Sequence, residues 1–201
     1  VKDISSGLVR LNAATRQWHP AVDDSWLDLL RPTVSISDYA GQLIRTYGLV
    51  APFESACRYT PALTAIVDKW RLMRAGLIAQ DLLELELSPA QVSAVPTCPA
   101  ITMFATPGEA LGWLYVVERT TLLADGLLRH INHVLPQAWG ATRYLETFST
   151  QGTEYWQSFA RIVDRATTDT TIAQEIERAA CSAFEVAHAW FTPTTETRNS
   201  A

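Results

Sequence analysis

Apolar residues recur at steps of three and four along most of this chain. In the first segment Leu8, Leu11, Thr15, Trp18, Val22, Trp26 and Leu29 share one face, with Ser5 or Ser6 placed to cap; the spacing predicts one amphipathic helix packed on a core. A second helix is expected from near Ser37, with Asp38 in its first turn, through Leu43, Ile44, Tyr47 and Leu49 to a bend at Pro52. A third follows Pro61, with Leu63, Ile66, Val67, Trp70, Met73, Leu77, Leu82 and Leu83 along its face. The proline-rich stretch "SPAQVSAVPTCPAITMFATP" reads as a loop with one short turn. A long helix then opens at Pro107, with Glu109 near its positive end, and continues through "ALGWLYVVERTTLLADGLLRHI". After Gly140 the pattern gives helices at about 141–148, 153–166 and 169–191. No alternating run bounded by hairpin dipeptides is present. The reading is an all-α chain of roughly seven helices: one helical domain over residues 1–192, and a tail over 193–201 expected to be disordered.

Composition narrows the partners. The 201 residues are 48% hydrophobic and 18% charged, enough to bury a sizeable core in one domain. A net charge of -5 without a Lys/Arg cluster argues against nucleic acid and anionic membrane surfaces as partners. The apolar runs are interrupted by Arg, Glu or Asp before they reach membrane-spanning length, and a cytoplasmic protein is the expectation. Cys57, Cys98 and Cys181 are odd in number and far apart, which suggests neither a disulfide framework nor a thiolate metal site.

One feature of the long helix calls for a physical reason. Its middle turn sets Glu118, Arg119, Thr120 and Thr121 between apolar runs, and buried polar groups without partners cost about 1–3 kcal/mol each. Among the histidines, His19 lies at the border of an apolar stripe, where a packed boundary residue is the commoner role. His130 and His133 form an HxxH pair, but "RHINH" reads as a solvated face. Glu185 and His188 make a single ExxH, whereas a carboxylate-bridged di-iron site wants two, and the chain has no second. The motifs of acyl transfer, zinc hydrolysis and nucleotide binding are absent.

In order along the chain, "LVRLNAATRQWH", "RAGLIAQDL", "EALGWLYVVERTTL", "TEYWQSF" and "AFEVAHAWF" resemble segments of the bacterial heme oxygenases, particularly those that make biliverdin for bacteriophytochromes. The similarity spans nearly all of residues 8–191. It implies a single-domain, all-α fold with heme held between the first helix and a kinked distal helix. In the pattern ATxxxH, His19 matches the family's proximal iron ligand, a role that suits a neutral imidazole fixed on a helix. Pro20, next to it, removes a helical bond to the Arg16 carbonyl and is expected to bend the helix there.

The stretch Glu118 to Ala124 matches the family's distal segment, usually Glu-Gly-Ser-Thr-Leu-Gly-Gly, whose glycines bend the helix and let its backbone approach the porphyrin. Glu118, Thr121 and Leu122 agree; Arg119, Leu123 and Ala124 stand where the family has glycine. A Leu123 side chain there takes up volume beside the heme face, so that heme is excluded or the helix is displaced. Arg119 is open to three roles: a stem along the apolar wall, a guanidinium over a ring, or a partner for a ligand carboxylate. The candidate heme contacts are therefore His19, Arg119, Thr120, Leu123, Tyr115 and Arg16, with His19 as metal ligand and no catalytic residue assigned. Where the family often has a basic residue for a heme propionate, this chain has Asn12, and Arg10 or Arg16 are the nearest substitutes. Two functions are implied. One is heme cleavage to biliverdin, iron and carbon monoxide with an electron-donor protein; the other is binding of heme, a bilin or a partner protein without turnover.

Overall fold

The computed structural model describes residues 5–60 and 62–192, so the expectation of a disordered tail over 193–201 lies outside the described residues. All regular structure among the described residues is helical: α1 (Ser6–Thr15), α2 (His19–Leu27), α3 (Ile36–Arg58), α4 (Arg74–Glu84), α5 (Pro89–Ser93), α6 (Pro107–Arg119), α7 (Ala124–Val134), α8 (Arg143–Ala166) and α9 (Thr170–Phe191). Their starts follow local chemistry. The Ser5 hydroxyl caps α1 by accepting from Leu8 N–H, and Ser35 and Asp38 form a reciprocal capping box at α3. Thr106 caps α6 ahead of Pro107, and Asp169 caps α9 through Thr171 and Ile172.

The center of the fold is the crossing of α6 on α9. A Cβ built on Gly112 would stand 2.6 Å from both the Ala179 Cβ and the Ile176 carbonyl oxygen, so only glycine permits this approach. Ala179, Ala180 and Ala183 on α9 supply the matching small surface, and α1, α2 and α8 pack around the pair. No helix among the described residues is long and apolar enough to cross a membrane.

Several elements depart from the periodicity. The first apolar stripe is not one helix: α1 ends at Thr15 and α2 begins at His19, with Pro20 in its first turn. Proline is tolerated there because first-turn N–H groups have no helical acceptor. The Arg16 carbonyl instead accepts from His19 N–H at 3.3 Å. The expected bend at Pro52 does not end α3, which runs on to Arg58. The expected third helix opens with 3₁₀ turns at Leu63–Ala65 and Lys69–Leu72, and becomes α-helical only from Arg74. Conversely, the two helices expected at 141–148 and 153–166 are the single helix α8. The long helix is divided in two at its polar turn.

Candidate functional site

That division sits where the sequence lacks the expected glycines. α6 ends at Arg119, a 3₁₀ turn covers Thr120–Leu122, and α7 resumes at Ala124. Two hydroxyls accompany the change of pitch: Thr120 donates to the Val117 carbonyl at 2.9 Å and Thr121 to the Glu118 carbonyl at 2.7 Å. Threonine bonding back along a helix in this way favors a bend. The break between α6 and α7 is therefore accompanied by threonine side chains bonded back to the helix.

The four polar residues of the turn each have a partner. The Glu118 carboxylate lies between two guanidiniums, 2.5 Å from Arg71 Nη1 and 2.8 Å from Arg74 Nη2, and all three side chains are 0% exposed. Arg71 also donates to the Ser158 hydroxyl and, at 2.8 Å, to the Tyr155 carbonyl, tying α8 to the turn. Arg74 lies over the Phe148 ring at 4.2 Å. The Thr120 hydroxyl is 2.9 Å from the Tyr144 hydroxyl on α8. Arg119 makes a two-point contact with Asp23 of α2, at 3.2 Å from Nε to Oδ1 and 2.6 Å from Nη2 to Oδ2. The partner is thus a carboxylate of the chain itself, where the sequence led to the expectation of an apolar wall, a ring or a ligand carboxylate. Leu123 is half-buried against the core, while Leu122 is 50% exposed.

His19 opens α2, within reach of the charges of Arg119 and Asp23. It is 7% exposed, and its ring packs on Phe184 of α9 with centroids 5.0 Å apart. Its Nε2 is 2.8 Å from the Thr15 hydroxyl, whose own proton goes to the Leu11 carbonyl at 2.7 Å. Thr15 therefore accepts, and the ring proton sits on Nε2. Burial pushes the imidazole pKa down, the Arg119 cation adds to the effect, and the Asp23 carboxylate opposes it. The result is a neutral imidazole, the form that ligates iron.

A cavity of about 710 Å³ opens between α1 and α8, lined by Leu8, Val9, Asn12, Tyr115, Trp156 and Arg161 among others. Tyr115 forms its inner wall; burial pushes the phenol pKa up, and nearby Thr15, Arg119 and Asn12 partly offset this. His19, Arg119 and Leu123 do not line the cavity. One aromatic side chain thus stands between the open space and the imidazole side.

Of the six candidate contacts from the sequence, Tyr115 lines the cavity and neighbors Arg119, whereas His19 on α2 and Thr120 in the turn after α6 do not line it. Arg16 is exposed at the end of α1 and lines no part of the cavity. Arg10, the other basic substitute, pairs with Glu177 on α9 at 2.7 Å. Among the described residues the cation that lines the cavity is Arg161, which was not among the candidates from the sequence. Its signal was the spacing of Trp156, Ala160 and Asp164 beside Gln157 and Arg161, which lines two adjacent strips of one helix on the same opening. Trp156, part of the stretch "TEYWQSF", also lines it. His133 is exposed and His130 reaches the Arg31 carbonyl at 3.2 Å, while Glu185 and His188 are exposed on α9.

No curated protein matches this chain, and no solved structure does. The heme oxygenase family model matches residues 6–193, nearly the whole chain. With that span and its helical architecture, the chain belongs to the heme oxygenase family.

Proposed function

We propose that this protein binds heme with His19 as the iron ligand, in a slot between α2 and the distal turn, and cleaves it to biliverdin, iron and carbon monoxide. The observation that supports this reading is the break between α6 and α7, close to a buried imidazole, in a chain that the family model matches over residues 6–193. The groups that heme calls for are present on the two sides of Tyr115: the buried imidazole packed on Phe184 on one, and on the other Leu8 as an apolar wall and Arg161 for a carboxylate at the cavity mouth. Bound heme supplies the iron and the ring on which oxygen chemistry is done.

The chain's own residues orient and enclose. His19 holds the proximal side, and Trp156 and Tyr115 bracket the entrance as flat apolar surfaces. Arg161 sets which edge of the ring faces solvent. The Arg71–Glu118–Arg74 cluster fixes the distal turn behind the slot, so its position does not depend on glycine. Electrons come from a reducing partner protein, and the product suits the bilin supply of a bacteriophytochrome, as in the bacterial enzymes that the sequence resembles.

A second reading is retention of heme or a bilin without turnover. It is favored by Arg119, Leu123 and Ala124 in place of glycines, and by the Thr120 and Thr121 hydroxyls, both of which donate to backbone carbonyls. One experiment separates the two: load the protein with hemin, supply reductant and air, and follow the visible spectrum. Conversion of the Soret band to a bilin band supports turnover; a Soret band that persists supports retention alone.

A further inference from the structure

We infer that the Asp23–Arg119 ion pair is a latch that shuts the slot in the ligand-free protein, and that Arg119 exchanges Asp23 for a carboxylate of the incoming ligand. This rests on the heme reading given above. Asp23 lies one turn beyond His19, on the same face of α2, and Arg119 is the last residue of α6 before the distal turn. Their two-point contact joins the two elements that a flat ligand has to enter between. Each side chain is only 17% exposed, so the pair is partly withdrawn from solvent screening.

Inside the latch the geometry is closed. Thr15 holds the imidazole Nε2, and Tyr115, one turn before Arg119 on α6, walls off the cavity of about 710 Å³. A ligand seated in that cavity against Trp156 meets Tyr115 first. Immediately behind it are Thr15 and Arg119, which lie around the Tyr115 hydroxyl. Opening the pair frees the Arg119 guanidinium on the His19 side of Tyr115. The guanidinium fork is already shaped for a carboxylate in two-point contact, and a carboxylated tetrapyrrole offers one where Asp23 withdraws. Releasing Asp23 leaves an anion one helical turn from His19, so carboxylate capture at Arg119 and ligation at His19 reinforce each other.

The test compares hemin with hemin dimethyl ester, in the same detergent, for the wild type, Asp23→Asn and Arg119→Gln. A closed form lowers apparent affinity by the fraction of time that it is populated. Asp23→Asn should therefore bind hemin about tenfold more tightly than wild type, and Arg119→Gln should lose about tenfold in its preference for the diacid over the ester. The charge swap Asp23→Arg with Arg119→Asp should restore the wild-type melting temperature of the ligand-free protein, while binding hemin more weakly than Asp23→Asn. Equal hemin affinity in wild type and Asp23→Asn, or an unchanged acid-to-ester preference in Arg119→Gln, overturns the latch while leaving heme binding intact. Absence of any Soret shift in all three proteins overturns the heme reading and the exchange together.

Discussion

The imidazole of His19 is tied through Nε2 to the hydroxyl of Thr15, one turn earlier in the chain, at 2.8 Å. Nε2 is therefore occupied in the ligand-free protein by a residue at the end of the preceding helix. Thr15→Val keeps the volume and removes the acceptor, leaving a buried N–H without a partner. The ligand-free variant should be less stable by about 1–3 kcal/mol in urea unfolding. Its hemin complex should lose less, because ligation of iron at Nε2 takes the proton off that nitrogen and leaves no donor there to satisfy. Equal losses in both forms would show that the hydroxyl plays no part in ligand exchange.

Glu118 is the single carboxylate between Arg71 and Arg74, and removing it leaves two guanidiniums facing each other away from water. Breaking a buried ion pair in this way costs about 3–5 kcal/mol. Glu118→Gln should lower the midpoint of chemical denaturation accordingly. A triple replacement, Arg71→Met, Arg74→Leu and Glu118→Leu, should recover most of that loss, since an apolar cluster has no charge to desolvate. If Glu118→Gln unfolds like wild type, the cluster is not what holds the turn.

Asp81 accepts from the N–H groups of Arg143 and Tyr144 at the start of α8, both at 2.9 Å, and burial pushes its carboxyl up to about 6 from an ordinary 3.8. The folded state then holds a proton that the unfolded chain has released between pH 4 and 6. Stability from this group is greatest below that window and falls as pH rises through it, by about 2–3 kcal/mol. The difference in unfolding free energy between wild type and Asp81→Asn should drift in that direction between pH 4 and 6 and level off above. A difference independent of pH would contradict the assignment.

Arg161 is the cation at the mouth of the cavity beside Asn12 and Trp156. Arg161→Gln should weaken hemin binding about tenfold, the scale of one charge-assisted contact of roughly 1.5 kcal/mol, with no change in the ligand-free melting temperature. A loss of stability without a loss of affinity would make the residue structural.

Helical periodicity carried the all-α architecture and the ends of α9, because an amphipathic stripe and a cap are local properties of the chain. The breaks were harder. The stripe from Leu8 to Leu29 runs across Arg16–Trp18 without a change of phase, so only Pro20 hinted that α2 starts afresh. The pattern also read Leu63 to Leu83 as one helix, although the chain there makes two 3₁₀ turns before Arg74. At the site, His19 and Tyr115 were legible through the resemblance. Asp23 carried a signal, since a carboxylate four residues after a histidine shares its helix face. Arg71 and Arg74 carried none: arginine on a helix face is ordinarily solvated, and what buries this pair is Glu118, distant in sequence. Arg119 was read through the missing glycine, but its partner depends on the approach of α2 to α6, a tertiary fact.

The most direct measurement is a hemin titration of the wild type beside His19→Ala, recorded as absorption and as low-temperature electron paramagnetic resonance. With His19 as the iron ligand, the wild type gives a saturable Soret band with an axial nitrogen signature, and His19→Ala loses the signature and binds at least tenfold more weakly. Identical spectra and affinities for the two proteins would contradict it.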